Sequence, residues 1–319
     1  MKTLMIYGAT GYTGRMAAEH AKKRGLNLVL AGRNAERLAS LAAELDTPYR
    51  VFTPQASQLE GIDVLLNFAG PFAQTAEPLM RACIASGTDY LDITAEINVY
   101  RLAEQLGAGW DVMLLPGVGW DVVPTDCLAM HVAARVQQPH SLKIALQVPG
   151  AMSRGSAMSV GEIIGAGVMT RIEGHLVATP DAPPQHLDFG AGPVLCAPLS
   201  FGDLVTAWHS SAIANIAMFV HITGEAFPQG DLSLLPDGPD QAQRDAHGAR
   251  AVAEVTGLDG TVARSVIETV NGYSFTPLAA VEAARRVLND ERRAGFETPA
   301  KLFGKGFAQT IAGTRIIDY

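Results

Sequence analysis

Seven residues near the start of the chain, Gly8-Ala9-Thr10-Gly11-Tyr12-Thr13-Gly14, have the types and spacing to cradle a dinucleotide pyrophosphate. The first glycine permits a tight turn, the second lets phosphate approach the backbone, and the third allows close helix–strand packing. A helix opening behind them would aim its N-terminal N–H groups at the phosphate charge. The G-x-x-G-x-x-G spacing is common among NADP enzymes resembling the short-chain reductases. Further on, Leu30-Ala31-Gly32-Arg33 places an arginine where an NAD enzyme carries Asp or Glu to grip the ribose hydroxyls. A guanidinium there can take the adenosine 2′-phosphate through two hydrogen bonds, so the expected cofactor is NADP(H). A solvated arginine at a helix start is the plain alternative for Arg33.

The remaining cofactor contacts are expected where strands of an open parallel sheet end. Asn67-Phe68-Ala69-Gly70-Pro71 closes the fourth strand and Thr94-Ala95-Glu96 the fifth. Asn67, Ala69, Gly70, Pro71 and Glu96 therefore join Gly8, Thr10, Gly11, Tyr12, Thr13, Gly14 and Arg33 as candidate cofactor residues. Gly70 and Pro71 read equally well as a strand terminator.

These residues need a sheet beneath them, and the chain supplies one. Short apolar runs at Leu4 to Tyr7, Leu28 to Leu30, Tyr49 to Phe52, Ile62 to Asn67, Tyr90 to Ile93 and Asp111 to Leu115 alternate with helix-period segments. In the second helix Asn34 is the cap, and Leu38, Leu41, Ala42 and Leu45 form the apolar face. The expected fold is α/β, a Rossmann-type doubly wound parallel sheet over residues 1–122, completed by 286–319. An inserted α+β domain of mixed or antiparallel sheet, residues 123–285, follows Pro116-Gly117-Val118-Gly119-Trp120-Asp121. There, Leu142 to Val148, Val205 to Ser211 and Ile213 to Ile222 read as extended, and Ser156 to Ile172 as a helix. Asp231 to Gly248 reads as an exposed loop, and Val252 to Thr256 with Val262 to Val270 as a hairpin. A helix is expected from Thr276-Pro277 to Val287.

Several chemistries drop out. None of the seven tyrosines has a lysine four residues on, which removes the short-chain dehydrogenase mechanism. G-x-S-x-G, H-E-x-x-H and Walker patterns are missing too, and no metal site is expected.

The chain resembles the saccharopine dehydrogenase-like oxidoreductases, including the trans-acting enoyl reductases. The carriers are Gly8 to Gly14, Ala31-Gly32-Arg33, Asn67 to Phe72, Tyr90-Leu91-Asp92 with Glu96, and above all Pro116 to Asp126. Ser153 to Ser156, Asp188-Phe189-Gly190, Trp208-His209-Ser210, Thr298-Pro299-Ala300 and Leu302-Phe303-Gly304 look similar to the same family. The resemblance implies an NADP-binding Rossmann domain and a second domain covering the nicotinamide. It does not imply saccharopine as substrate, because the amino-acid-binding arginines of saccharopine reductases have no residue-by-residue match here.

Hydride transfer asks the protein to hold an acceptor against the nicotinamide and to supply a proton or an oxyanion partner. The candidate catalytic residues of the cleft are Asp121, Arg154 as anchor for a substrate carboxylate or carbonyl, and His209 as proton donor. Each has a plainer reading: a turn hydrogen bond for Asp121, an ion pair for Arg154, a satisfied sheet histidine for His209. The expected function is reduction of a C=C, C=N or C=O bond in a small metabolite. A non-catalytic nucleotide-binding redox sensor or interaction protein is the alternative.

Composition narrows the partners. A formal charge of −8 without a Lys/Arg cluster argues against nucleic acid and anionic membranes. Cys83, Cys127 and Cys196 are odd in number and form no C-x-x-C pair, as in a reducing cytoplasm. A first strand at about Thr3 leaves no room for a signal peptide, so export is not expected. Pro139 to Leu235 carries only ten Asp, Glu, Lys or Arg residues in 97 positions. Such a low-charge stretch points to a homodimer through the second domain, or to an intramolecular face of the same composition.

Overall fold

The computed structural model of the chain describes residues 1–149, 152–223, 231 and 235–319. Its first part runs β1 (Thr3–Tyr7), α1 (Tyr12–Lys23), β2 (Asn27–Gly32), α2 (Ala35–Leu45), β3 (Tyr49–Val51), β4 (Val64–Asn67), α3 (Phe72–Ser86), β5 (Asp89–Asp92), α4 (Ile97–Gly107) and β6 (Met113–Leu115). It continues through α5 (Val123–Ala133), β7 (Pro139–Pro149), α6 (Arg154–Gly165), β8 (Met169–Ile172), β9 (His175–Ala178), β10 (Gln185–Asp188), β11 (Pro193–Pro198), α7 (Asp203–Ser211) and β12 (Asn215–Thr223). The last elements are α8 (Gln241–Asp245), β13 (Ala249–Gly257), β14 (Val262–Thr269), α9 (Gly272–Leu288), β15 (Gly295–Phe296), α10 (Pro299–Phe303) and β16 (Arg315–Asp318).

Seven parallel strands form the first sheet in the order β15-β6-β5-β4-β1-β2-β3, the doubly wound arrangement expected. Alternation along each strand explains its two covers. Leu4 and Ile6 of β1, Leu28 and Leu30 of β2 and Leu66 of β4 join the alanines of α1 and α9 in one core. Met5 and Tyr7, Val29 and Leu65 point the other way, into a second core with Leu79, Met80 and Val99 of α3 and α4. Ala17, Ala18 and Ala21 of α1 and Ala279, Ala280 and Ala283 of α9 let the two helices approach closely.

The second sheet is mixed, as expected: β10-β11-β12-β7-β13-β14-β16, with β8 and β9 added beside β12. Among the described residues, only β12 and β7 in it pair in parallel. The mostly buried α5 lies beneath it, against α7. The chain's end serves both sheets, since β15 pairs with β6 and β16 with β14.

Three local expectations are corrected. Val205–Ser211 is not extended but lies in α7; Leu204, Val205 and Ala207 are wholly buried, and packing against α5 overrides the β-preference of Val205 and Thr206. The helix expected over Ser156–Ile172 stops at Gly165, and after Gly167, at φ +73°, the chain turns into the β8–β9 hairpin. The helix expected from Thr276 starts at Gly272, where the Asn271 side chain accepts the Tyr273 N–H. Within the Asp231 to Gly248 loop, α8 forms over Gln241–Asp245 behind an Asp240 capping box, while residues 232–234 lie outside the described residues.

Candidate active site

The glycine turn joins β1 to α1 at the carboxyl end of the first sheet. Gly8 and Ala9 both donate backbone N–H to the carbonyl of Ala31 (2.9 and 3.2 Å), and Gly11 donates to that of Gly8 (3.0 Å). A Cβ on Gly14 would fall 2.2 Å from the Gly8 oxygen, and one on Gly8, at φ +81°, 2.8 Å from the Ala69 nitrogen. Glycine is therefore required at both places by contact with backbone that cannot move aside. The first-turn N–H groups of α1, from Tyr12 onward, have no partner in their own helix and face outward from this turn. The cradle fits a dinucleotide pyrophosphate; Thr10, Gly11, Tyr12 and Thr13 are the residues that would touch it.

Arg33 follows β2 directly, is exposed, and makes no hydrogen bond or ion pair among the described residues. Arg37, one helical turn later, donates to the Thr10 carbonyl at 2.9 Å, which draws a second guanidinium to the rim of the glycine turn. Thr10, Gly11, Arg37, Ser40 and Arg244 line one groove there. Sequence reasoning does not find Arg37: it lies in the first turn of α2, while Arg33 precedes the Asn34 cap, and only the fold brings the Arg37 guanidinium to Thr10.

Asn67 and Glu96 serve as braces. The Asn67 side chain accepts the Ala69 N–H (2.9 Å) and donates to Thr75 Oγ1 (3.2 Å) and to the Tyr90 hydroxyl (3.1 Å). Tyr90 donates in turn to Asp92 (2.8 Å). Asp92 also accepts from the N–H groups of Thr94 and Gly117, and burial raises its pKa to about 6. The buried Glu96 carboxylate takes the N–H groups of Phe72 (2.9 Å) and Ala73 (2.7 Å), neutralising the start of α3. These bonds fix the Ala69, Gly70 and Pro71 loop, and Gly70 enters the wall of a cavity.

That cavity, about 220 Å³, lies between the two sheets. Phe68, Phe72 and Ile93 line it from the first sheet's side, and Trp120, Val160 and Phe201 from the other. Trp120 is tied by its backbone N–H to Thr276 Oγ1 (3.0 Å) and by Nε1 to Thr269 Oγ1 (2.9 Å). The next residue, Asp121, is the one charged side chain in the lining among the described residues. Apart from its own backbone N–H, nothing described hydrogen-bonds its carboxyl, and burial lifts its pKa to about 6. Opposite, the Tyr273 hydroxyl accepts the Ser153 N–H (2.8 Å) and donates to Ser156 Oγ (2.9 Å), and both serines line the same cavity.

The three catalytic candidates are not brought together. Asp121 is in the cavity wall, but Arg154 and His209 are not. Arg154 Nε donates to the Leu235 carbonyl (3.0 Å), and its guanidinium pairs with Asp237 at 3.4 Å. His209, at the end of α7, bonds Glu104 of α4 (2.8 Å) and sets its ring edge-on to Phe296. Both bases have neighbouring carboxylates that satisfy them away from the cleft, and α7 as a helix turns His209 outward. Among the described residues no His/Cys/Asp/Glu group could hold a metal ion.

A segment from the second part crosses the glycine turn. Arg244 Nη1 donates to the Tyr12 hydroxyl (2.7 Å) and to the Pro239 carbonyl (2.9 Å), and the Tyr12 hydroxyl also bonds that carbonyl. The Tyr12 ring meets Tyr273 edge-on at 5.6 Å. Neither Arg244 nor Tyr273 carries a local sequence signal.

Comparison with known proteins agrees with this geometry. Residues 4–109 match the family described as "Saccharopine dehydrogenase NADP binding domain". The resemblance drawn from the motifs is thereby shown for this part of the chain, and NADP(H), the expected cofactor, is the one that domain is named for. A trans-acting enoyl reductase of Mycobacterium leprae (strain TN) is 34% identical over 149 residues, 42% of this chain and 36% of that protein. A putative trans-acting enoyl reductase of Mycobacterium tuberculosis (strain ATCC 25618 / H37Rv) is 28% identical over 183 residues, 50% of this chain and 44% of that protein. The matches thus span less than half of these curated relatives. Among solved structures, apo saccharopine dehydrogenase (L-Glu forming) from Saccharomyces cerevisiae superposes with a TM-score of 0.65 over 100% of both chains, at 11% identity. That likeness is one of fold.

Proposed function

We propose that this chain, whose residues 4–109 carry a saccharopine dehydrogenase-type NADP-binding domain, is an NADPH-dependent oxidoreductase that reduces a C=C, C=N or C=O bond in a small metabolite. The observation that carries the reading is the apolar cavity opening between the Gly70 loop and the second sheet, beside the glycine turn. When bound, the nucleotide supplies a hydride. The chain would hold its pyrophosphate at Gly8 to Gly14 and its 2′-phosphate with Arg33, helped by Arg37. Phe68, Gly70 and Phe72 would exclude water from the reacting face. A protein that only sensed the nucleotide would need no such space. The names of the mycobacterial relatives and the saccharopine dehydrogenase fold support an oxidoreductase.

Calorimetry with NADPH and NADH on wild type and Arg33→Ala tests it. The expected outcome is a strong preference for NADPH that falls tenfold or more in the variant, with NADH binding unchanged, since a hydrogen-bonded phosphate contact contributes roughly 1.5–3 kcal/mol. Binding of neither nucleotide would overturn the proposal. NADPH oxidation against a panel of enals, imines and ketones then identifies the bond.

The proposal includes a homodimer through the second sheet. Leu195 of β11 and Val177 of β9 are exposed apolar residues on that sheet, and a monomer by light scattering at micromolar concentration would remove this part. The described residues include no helix long and apolar enough to cross a membrane. We propose a cytoplasmic location on the unpaired, wholly buried cysteines.

A further inference from the structure

We infer that Asp121 is the proton donor of the reduction, and that the cavity it lines takes the uncharged, planar reacting portion of the substrate. The inference rests on the reductase reading and assigns to this side chain the role that the sequence suggested for His209.

The first support is position. Asp121 alone among the lining residues can ionise near neutrality, and it sits where the Pro116 to Trp120 segment delivers it into the space between the sheets. The second is its lack of structural employment. Asp92, Asp126 and Glu96 each accept N–H groups from other residues, whereas the Asp121 carboxyl has only its own backbone N–H; Asp203, whose two carboxyl oxygens also have no partner, is wholly buried and outside the cavity lining. Asp121 is half-buried at the cavity wall, and a carboxyl that faces a cavity with no structural partner is the kind of group that active sites keep. The third is the surrounding charge. Behind Asp121 lie Tyr100 of α4, Asp126 of α5 and Asp203 of α7, and across the cavity Tyr273 of α9. All are acids and none is a cation, so no counter-charge holds Asp121 ionised. Among the described residues the cavity wall likewise contains no Lys, Arg or His that could receive a substrate carboxylate.

The step balances simply. The π bond of the acceptor breaks as one of its atoms receives the hydride of a reduced nicotinamide nucleotide. The electron pair left on the other atom forms a bond to the Asp121 proton. Asp121 remains as a carboxylate and regains its proton from water after product leaves.

Two readouts test this, with trans-cinnamaldehyde as probe because it offers an aryl group, a C=C and a C=O without charge. Difference infrared spectroscopy of wild type against Asp121→Asn, with NADP⁺ bound, should show a protonated-carboxyl band that titrates at about pH 6 or above and is missing from the variant. In single-turnover NADPH oxidation the variant should lose about 10²- to 10⁴-fold with unchanged NADPH affinity. Wild-type kcat/KM should fall tenfold per pH unit above the titration point, and the variant's profile should be flat over that range. A variant with wild-type turnover, or a carboxyl already ionised at pH 5, would overturn the assignment while leaving the reductase reading intact. Loss of nucleotide binding by wild type would remove the reading itself.

Discussion

Replacing Asp121 by Asn should make the protein more stable at neutral pH while disabling it. The two side chains share one shape, so the change removes a charge and leaves packing in place. In the folded chain burial raises the Asp121 pKa from 3.8 to about 6. A shift of about two units corresponds to roughly 2–3 kcal/mol by which the folded state disfavours the carboxylate. The sign follows from proton binding. Because the folded pKa is the higher one, the native protein holds this proton more tightly than the unfolded chain. Wild-type stability from this group is therefore fully present below about pH 4 and is lost as pH rises through about 6. Asn has no such loss. Urea unfolding at half-unit steps from pH 4 to 8 should show variant and wild type close together at the acid end. The variant should lead by roughly 2–3 kcal/mol above pH 6.5. Asp92, also raised to about 6, is present in both proteins and cancels in the difference. A difference independent of pH, or a variant less stable at pH 7, would refute the reasoning.

Gly14→Ala should abolish nucleotide binding by calorimetry and lower the unfolding midpoint, because its Cβ would meet the Gly8 carbonyl at 2.2 Å. His209→Ala should keep NADPH affinity and turnover within a fewfold, since its ring faces Glu104 and Phe296; a hundredfold loss of kcat/KM would return it to the chemistry. Glu96→Gln should cost about 1–2 kcal/mol in chemical unfolding through the weakened start of α3, and leave nucleotide affinity nearly unchanged. A large affinity loss without a stability loss would make Glu96 a ligand.

What could be read from the chain beforehand was local. β1, the glycine turn and α1 form one continuous stretch whose glycines are demanded by backbone contacts within it or with the neighbouring Phe68 and Ala69. Asn34 was legible as a cap for the same reason: the N–H it accepts lies three residues away. The doubly wound, parallel character of the first sheet follows from alternation of strands and helices. Val205 and Thr206 favour strands locally, and packing of α7 against α5, some eighty residues earlier, and against α4 and β12 makes them helical. The cavity was beyond such reading. Phe68, Trp120, Val160 and Tyr273 share no spacing, and their meeting depends on how the second sheet is laid over the first. Arg154 and His209 are polar residues in motifs similar to the family's, yet polarity does not reveal whether a partner is near. Asp237 and Glu104 were.

Tyr12 belongs to the nucleotide turn by sequence, but its hydroxyl belongs to Arg244 and Pro239. The crossing segment and the phosphate cradle thus share one side chain, and what holds one bears on the other. If nucleotide binding tightens the segment's grip by some factor, the seated segment tightens nucleotide binding by that same factor, because the cycle of four states must close. Phosphate affinity in this protein is then a property of the second sheet's connections as much as of the glycines.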